Sequence, residues 1–150
     1  ATLFHLGVIQ YLRAAGLLRS VTHVTSVSGG SITAAHLAVN WDRYSGTAEQ
    51  FDAASRELVE FTQLGVREHV IAYLPLTTLG RQLPPRFRYD EATILRNMYS
   101  RYLFRKESNA ALKRHSGVPS VNLIATNLSR PDNLVSFSGD GVALLGEQGY

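Results

Sequence analysis

Ser26-Val27-Ser28-Gly29-Gly30 sets a serine among small residues, directly after the β-branched run Val21 to Val27 and directly before the helix-forming run Ser31 to Val39. A serine at so sharp a strand-to-helix reversal sits in strained backbone with its hydroxyl projecting from the sheet edge, and bulky neighbours would clash. The helix that begins there aims unpaired N–H groups and the positive end of its dipole at the same point, where a tetrahedral intermediate carries its oxyanion. The chemistry to expect is nucleophilic acyl transfer. Ser28 would take the acyl group and divide an ester hydrolysis into acylation and deacylation, each with a lower barrier than direct attack by water. Gly29 is the natural first oxyanion donor, and Gly30 keeps the elbow free of side chains. The familiar pattern is Gly-x-Ser-x-Gly, and Ser26 stands here at its first position; so short a side chain is a tolerable substitute for glycine.

Other chemistries find less support. With no cysteine in the chain, a thiol nucleophile, a thiolate zinc site and a disulfide framework are excluded. The histidines are too scattered for a metal site, and neither a metal nor another cofactor is expected. In a Ser-His-acid triad the hydrolase chain order calls for a histidine after the nucleophile. His5 and His23 precede Ser28, His36 lies on the helix just after it, and His69 falls in the helical middle. That leaves His115, whose setting Lys113-Arg114-His115-Ser116 reads as an exposed helix end. A competing reading makes the Gly29-Gly30 turn a phosphate or anion cradle. Against it, no lysine follows the glycines as in a P-loop, and the spacing Gly-x-Gly-x-x-Gly is absent.

The elements that must position Ser28 can be read on either side. Leu3, Phe4, Leu6, Val8, Ile9, Tyr11, Leu12 and Ala14 make residues 2–15 apolar on nearly every side, which predicts a buried helix stopped by Gly16. Residues 21–27 predict a central strand and 31–39 a helix. Residues 40–46 are polar and turn-like, and Thr47-Ala48-Glu49-Gln50 fits a capping box at the head of a long helix with the core stripe Phe51, Ala54, Leu58 and Phe61. The apolar stretch from Val66 to Leu83 has no clean period. Tyr89-Asp90-Glu91 opens another helix, with Ile94, Leu95, Met98, Tyr99, Tyr102 and Leu103 on one face and arginines on the other. After the break at Ser116-Gly117-Val118-Pro119, residues 121–126 and 134–138 predict a strand pair joined by a hairpin loop. Strands separated by long helical stretches predict an α/β layered fold with a largely parallel sheet, to which the hairpin adds one antiparallel pair.

The stretch Thr2-Leu3-Phe4-His5-Leu6-Gly7-Val8-Ile9, then Ala15-Gly16-Leu17-Leu18, then Val24 through Ser31, resembles the opening of the patatin-like phospholipase family. Ala125-Thr126-Asn127-Leu128 with Val135-Ser136-Phe137 resembles that family's later strand pair, whereas Trp41 to Ser116 matches only in being helical. The resemblance implies a three-layer α/β sandwich, present here as part of the domain, with the glycine-rich oxyanion loop just before Ala1. It also implies hydrolysis of acyl esters in phospholipids or other acyl lipids by a Ser-Asp dyad without histidine. The aspartate would come from an Asp-Gly pair. Asp140-Gly141 is such a pair, and Asp140 is either that base or simply a turn residue, the base then lying beyond Tyr150. Two alternatives use the same residues: an acyltransferase acting through Ser28, and a non-catalytic relative that binds an anion or a lipid.

Charge and hydropathy bear on the partner. The net charge of the 150 residues is +3. Most of the excess lies between Arg81 and Arg114, a segment suited either to an anionic membrane surface or to solvent. No nucleic-acid-binding motif accompanies that charge, so nucleic acid is not the expected partner. No apolar run approaches the ~20 residues of a membrane span. The expected setting is cytoplasmic or peripheral to a membrane.

Overall fold

The computed structural model describes residues 1–65, 91–103, 117–127, 129 and 133–145. The expectations for the apolar stretch 66–83, for His69 and His115, for most of the basic segment and for most of the hairpin linker fall outside them. The chain divides into two compact units, Ala1–Arg56 with Glu107–Tyr150, and Glu57–Lys106.

In the first unit, helix α1 (Thr2–Ala14) leads through a 3-10 turn at Leu18–Ser20 to strand β1 (His23–Val27). Helix α2 (Gly29–Val39) follows directly, then a helical turn, α3 (Trp41–Tyr44), and helix α4 (Ala48–Gln63), whose residues from Glu57 on belong to the second unit. Strands β2 (Ser120–Thr126), β3 (Leu134–Ser138) and β4 (Gly141–Leu145) complete a sheet of order β1-β2-β3-β4. β1 and β2 run parallel, with Val24 beside Val121 and Val27 beside Ile124; β2-β3 and β3-β4 are antiparallel. The fold is α/β, as expected, and the described sheet is mixed, with one antiparallel pair more than the hairpin supplies. The cause is β4: Gly139 and Asp140 return the chain so tightly that Val142 to Leu145 add a second antiparallel pair, which the sequence reading did not anticipate.

α1 ends as its sequence requires. Gly16 takes φ +72°, its N–H donates to the Arg13 carbonyl (2.9 Å), and the Leu17 N–H donates to the Leu12 carbonyl (2.8 Å). This pair of bonds is the Schellman arrangement. The helix is not buried all round, however. Leu6 and Ile9 are buried, whereas Phe4 and Tyr11 are 72% and 70% exposed. The apolar residues surround the axis, and among the described residues only one side of it is covered.

α2 packs on β1 and β2 through small residues. Ala34 and Ala38 meet buried Val121, with Val24 and Leu123 against them, and the absence of longer side chains lets the helix lie close to the sheet. Residues 40–46, polar and turn-like in the sequence, contain the helical turn Trp41–Tyr44, which the burial of Trp41 and Tyr44 anchors. Tyr44 meets His36 and Phe51 edge to face, and its hydroxyl lies 3.0 Å from His36 Nδ1. Arg13 stands over the Phe51 ring, 5.0 Å from its centroid, and donates to the Tyr44 carbonyl (2.9 Å), so the last turn of α1 is tied to this cluster.

The capping box at the head of α4 forms as read. The Thr47 N–H donates to Gln50 Oε1 (3.0 Å) and the Gln50 N–H to Thr47 Oγ1 (3.3 Å). A bond from its own backbone amide, followed by one from the Thr47 hydroxyl, holds the Glu49 carboxyl below its ordinary range. Phe51, Ala54, Leu58 and Phe61 are all buried, in agreement with the predicted stripe. In the second unit, α5 (Glu91–Met98) continues into a π-helical turn, Tyr99–Leu103, with Met98 and Leu103 buried and the Phe61 and Tyr99 rings 5.2 Å apart.

Candidate active site

Ser28 is the hinge between β1 and α2, with φ 55° and ψ −132°. Among the described residues it is the one non-glycine residue with positive φ. Such backbone costs of order 1–3 kcal/mol and persists where surrounding structure enforces it. Here a strand and a helix on consecutive residues enforce it. The Ser31 N–H donates to the Ser28 carbonyl (2.9 Å), closing the first turn of α2. The Ser28 side chain makes no capping hydrogen bond to that helix. It is exposed, and its hydroxyl has no hydrogen-bond partner among the described residues.

The small residues of the elbow have separate reasons. Ser26 points toward α2, where its hydroxyl donates to Ser31 Oγ at 3.4 Å, so the position that is commonly glycine carries a short polar link. Gly29 faces the start of α1. A Cβ there would stand 3.1 Å from Ala1 Cβ, 3.3 Å from Thr2 Oγ1 and 3.5 Å from the Thr2 nitrogen. Gly30 is buried against the imidazole of His5, whose Nε2 would lie 3.2 Å from a Cβ. The Thr2 hydroxyl donates to the Gly29 carbonyl (3.1 Å), and the hydroxyl of buried Thr33 donates to the Thr2 carbonyl (3.1 Å).

The N-terminus of α2 therefore stands at the strained serine, with Ala1 and Thr2 packed beside Gly29. The first turn of α2 carries N–H groups without intrahelical partners and the positive end of a dipole, a setting that stabilises developing negative charge. Beside the elbow, along the edge of β1 in the described sheet, lies a cleft of about 600 Å3 whose lining includes Ser26, Val27 and Gly30. Val8 and Ile9 of α1, Val24 and Val27 of β1, and Leu37 of α2 make its walls mostly apolar.

The other candidates lie elsewhere. Asp140 occupies the β3-β4 turn, where its N–H donates to Ser138 Oγ (3.3 Å). Register sets Val27 level with Ile124 and Ser136, so the turn lies toward the opposite end of the sheet from the elbow. The separation is on the order of 10 Å across the strands and 10 Å along them. The structure thus brings Ser28, Gly29 and Gly30 together and leaves Asp140 apart. His23 is exposed on β1, with Nδ1 3.0 Å from Thr22 Oγ1, and His36 is buried with Tyr44. His5 is the histidine at the elbow. Chain order had set it aside, and neither its position nor that of Thr2 carries a local signal, because only the packing of α1 on α2 brings them there. Among the described residues, no group of three His, Cys, Asp or Glu could hold a metal ion, and no helix is long and apolar enough to cross a membrane.

In comparison with known proteins, the family model described as Patatin-like phospholipase matches residues 1–142. No curated protein and no solved structure matches.

Proposed function

The chain belongs to the patatin-like phospholipase family, and from that membership we propose that it hydrolyses acyl esters of phospholipids or other acyl lipids, with Ser28 as the nucleophile. The observation that carries the assignment of the serine is its backbone, at φ 55° in the step from β1 to α2. This backbone leaves the Ser28 side chain exposed at the N-terminus of α2, whose first-turn amides lack intrahelical partners.

In the acylation step the Ser28 oxygen forms a bond to the acyl carbon, and the negative charge gathers on the former carbonyl oxygen near the Gly29 amide. Collapse breaks the ester C–O bond. The alcohol portion of the lipid leaves, and the proton given up by Ser28 ends on its oxygen. Water then repeats the sequence on the acyl-serine, releasing the fatty acid and restoring the hydroxyl. The resemblance calls for a carboxylate to carry the proton in both directions. The distance of the β3-β4 turn from the elbow favours the turn reading of Asp140 over the base reading. The apolar walls of the cleft beside Ser28 agree with an acyl-lipid substrate.

The test is turnover of a phospholipid carrying a labelled acyl chain by the full chain and by Ser28→Ala. Loss of a nucleophile of this type lowers kcat by about 10^4-fold or more. Turnover by Ser28→Ala within tenfold of the unaltered protein would remove Ser28 from the mechanism. Product analysis separates the neighbouring reading, transfer of the acyl group to another lipid, from hydrolysis to free fatty acid.

A further inference from the structure

We infer that Thr33 and Thr2 are positioning residues for the acyl transfer, forming a latch of two hydrogen bonds that holds the first turn of α1 against the first turn of α2. The inference rests on the reading of Ser28 as nucleophile. The Thr2 side chain donates to the Gly29 carbonyl at 3.1 Å, and Thr2 is itself held by the Thr33 hydroxyl, which donates to the Thr2 carbonyl at 3.1 Å. Both bonds cross between helices that are distant in the chain, spanning 27 and 31 residues. Thr33 is 2% exposed and lies one turn into α2, on the side that faces α1 and the cleft.

Both threonines have backbone needs that are met without these bonds. A carbonyl near the start of a helix already accepts from an amide four residues on, so the Thr33 hydroxyl adds a second bond to an acceptor that has one. A hydroxyl inside a helix more often bonds back to its own preceding turn. Thr33 instead reaches across to α1. Thr2 reaches the first residue after the nucleophile, whose amide is the expected oxyanion donor. Apolar packing between α1 and α2 leaves the helices free to slide by fractions of an ångström, whereas two directional bonds to backbone carbonyls fix their register. Such a displacement matters at an oxyanion site, where donors must stand 2.7–3.1 Å from the developing charge.

The experiment uses the full chain and four variants, Thr33→Val, Thr33→Ser, Thr2→Val and Thr2→Ser, with Ser28→Ala as reference. Valine keeps the shape and removes the donor; serine keeps the donor. The expected result is a fall in kcat of about tenfold for each valine variant with KM unchanged within about twofold, and recovery in the serine variants. A valine variant with unaltered kcat, an effect on KM alone, or a serine variant as impaired as its valine counterpart would overturn the inference. Amide hydrogen exchange provides a readout that does not depend on catalysis. The His5 and Ser31 amides, which donate to the Ala1 and Ser28 carbonyls in the first turns of α1 and α2, are expected to exchange several-fold faster in Thr33→Val than in Thr33→Ser, and equal rates would overturn the latch. If Ser28→Ala retains turnover, it is the nucleophile assignment that fails, and the exchange rates still decide whether the latch exists. Should Thr33→Val not fold, Thr2→Val is the variant that carries the test.

Discussion

Strain at Ser28 and crowding at Gly29 describe an elbow tuned for something other than stability. Glycine accepts φ 55° without the penalty that a β-carbon brings. Ser28→Gly is therefore expected to raise the unfolding free energy by about 1 kcal/mol while abolishing ester turnover, and paired urea melts and assays check both. A Ser28→Gly variant no more stable than the unaltered protein would mean that the backbone there is not under load. The two glycines should respond differently. Gly29→Ala sets a methyl group 3.1 Å from Ala1 Cβ and 3.3 Å from Thr2 Oγ1, so it pushes α1 from the elbow and should lower kcat. At Gly30 the obstacle is the His5 side chain, which can rotate away, and Gly30→Ala should be the milder change. Steady-state kinetics on the two variants give that order directly. Of this detail, the serine and its small neighbours were legible in the five-residue motif. The contacts of Ala1, Thr2 and His5 were not, because no local pattern encodes which turn of α1 lies over which turn of α2.

The elements follow from patterns that a short window contains. The Schellman stop at Gly16, the strand before Ser28, the stripe on α4 and the strand pair β2-β3 all rest on periodicity or on a residue with special backbone freedom, and each was legible. The capping box is the clearest case, since both reciprocal bonds predicted from Thr47 and Gln50 form. Thr47→Ala should cost about 1 kcal/mol of stability, readable by urea denaturation at neutral pH. Glu49 adds a pH dependence whose sign can be worked out. Its folded-state carboxyl lies below the ordinary 4.5, so the stabilisation is present above that value and is lost as the pH falls through the lowered one. Glu49→Gln should flatten the acid limb of the stability profile. Patterns failed where tertiary burial outweighed composition. Residues 40–46 look polar, yet Trp41 and Tyr44 anchor a helical turn, and the apolar circumference of α1 gave no hint that Phe4 and Tyr11 would be exposed.

Across the whole molecule, chain order and strand order decide which residues share an end of the sheet. The parallel pairing of β1 with β2 sets the elbow beside the ends of Ile124 and Ala125, and two antiparallel steps carry Asp140 toward the other end. That arrangement was not legible, because β4 starts at the glycine of an Asp-Gly pair, and such a pair can be read from sequence as a turn or as a catalytic signature. Asp140→Asn should leave turnover within about twofold, as expected for a surface change away from the site. The most direct test of the central claim is covalent. The full chain is treated with a fluorophosphonate, which loses fluoride to an activated serine, and the adduct is located by peptide mass spectrometry. The expected result is one phosphonylated residue, Ser28, with labelling abolished in Ser28→Ala and retained in Asp140→Asn. An adduct on another serine, or equal labelling of the unaltered protein and Ser28→Ala, would contradict the assignment of Ser28 as the nucleophile.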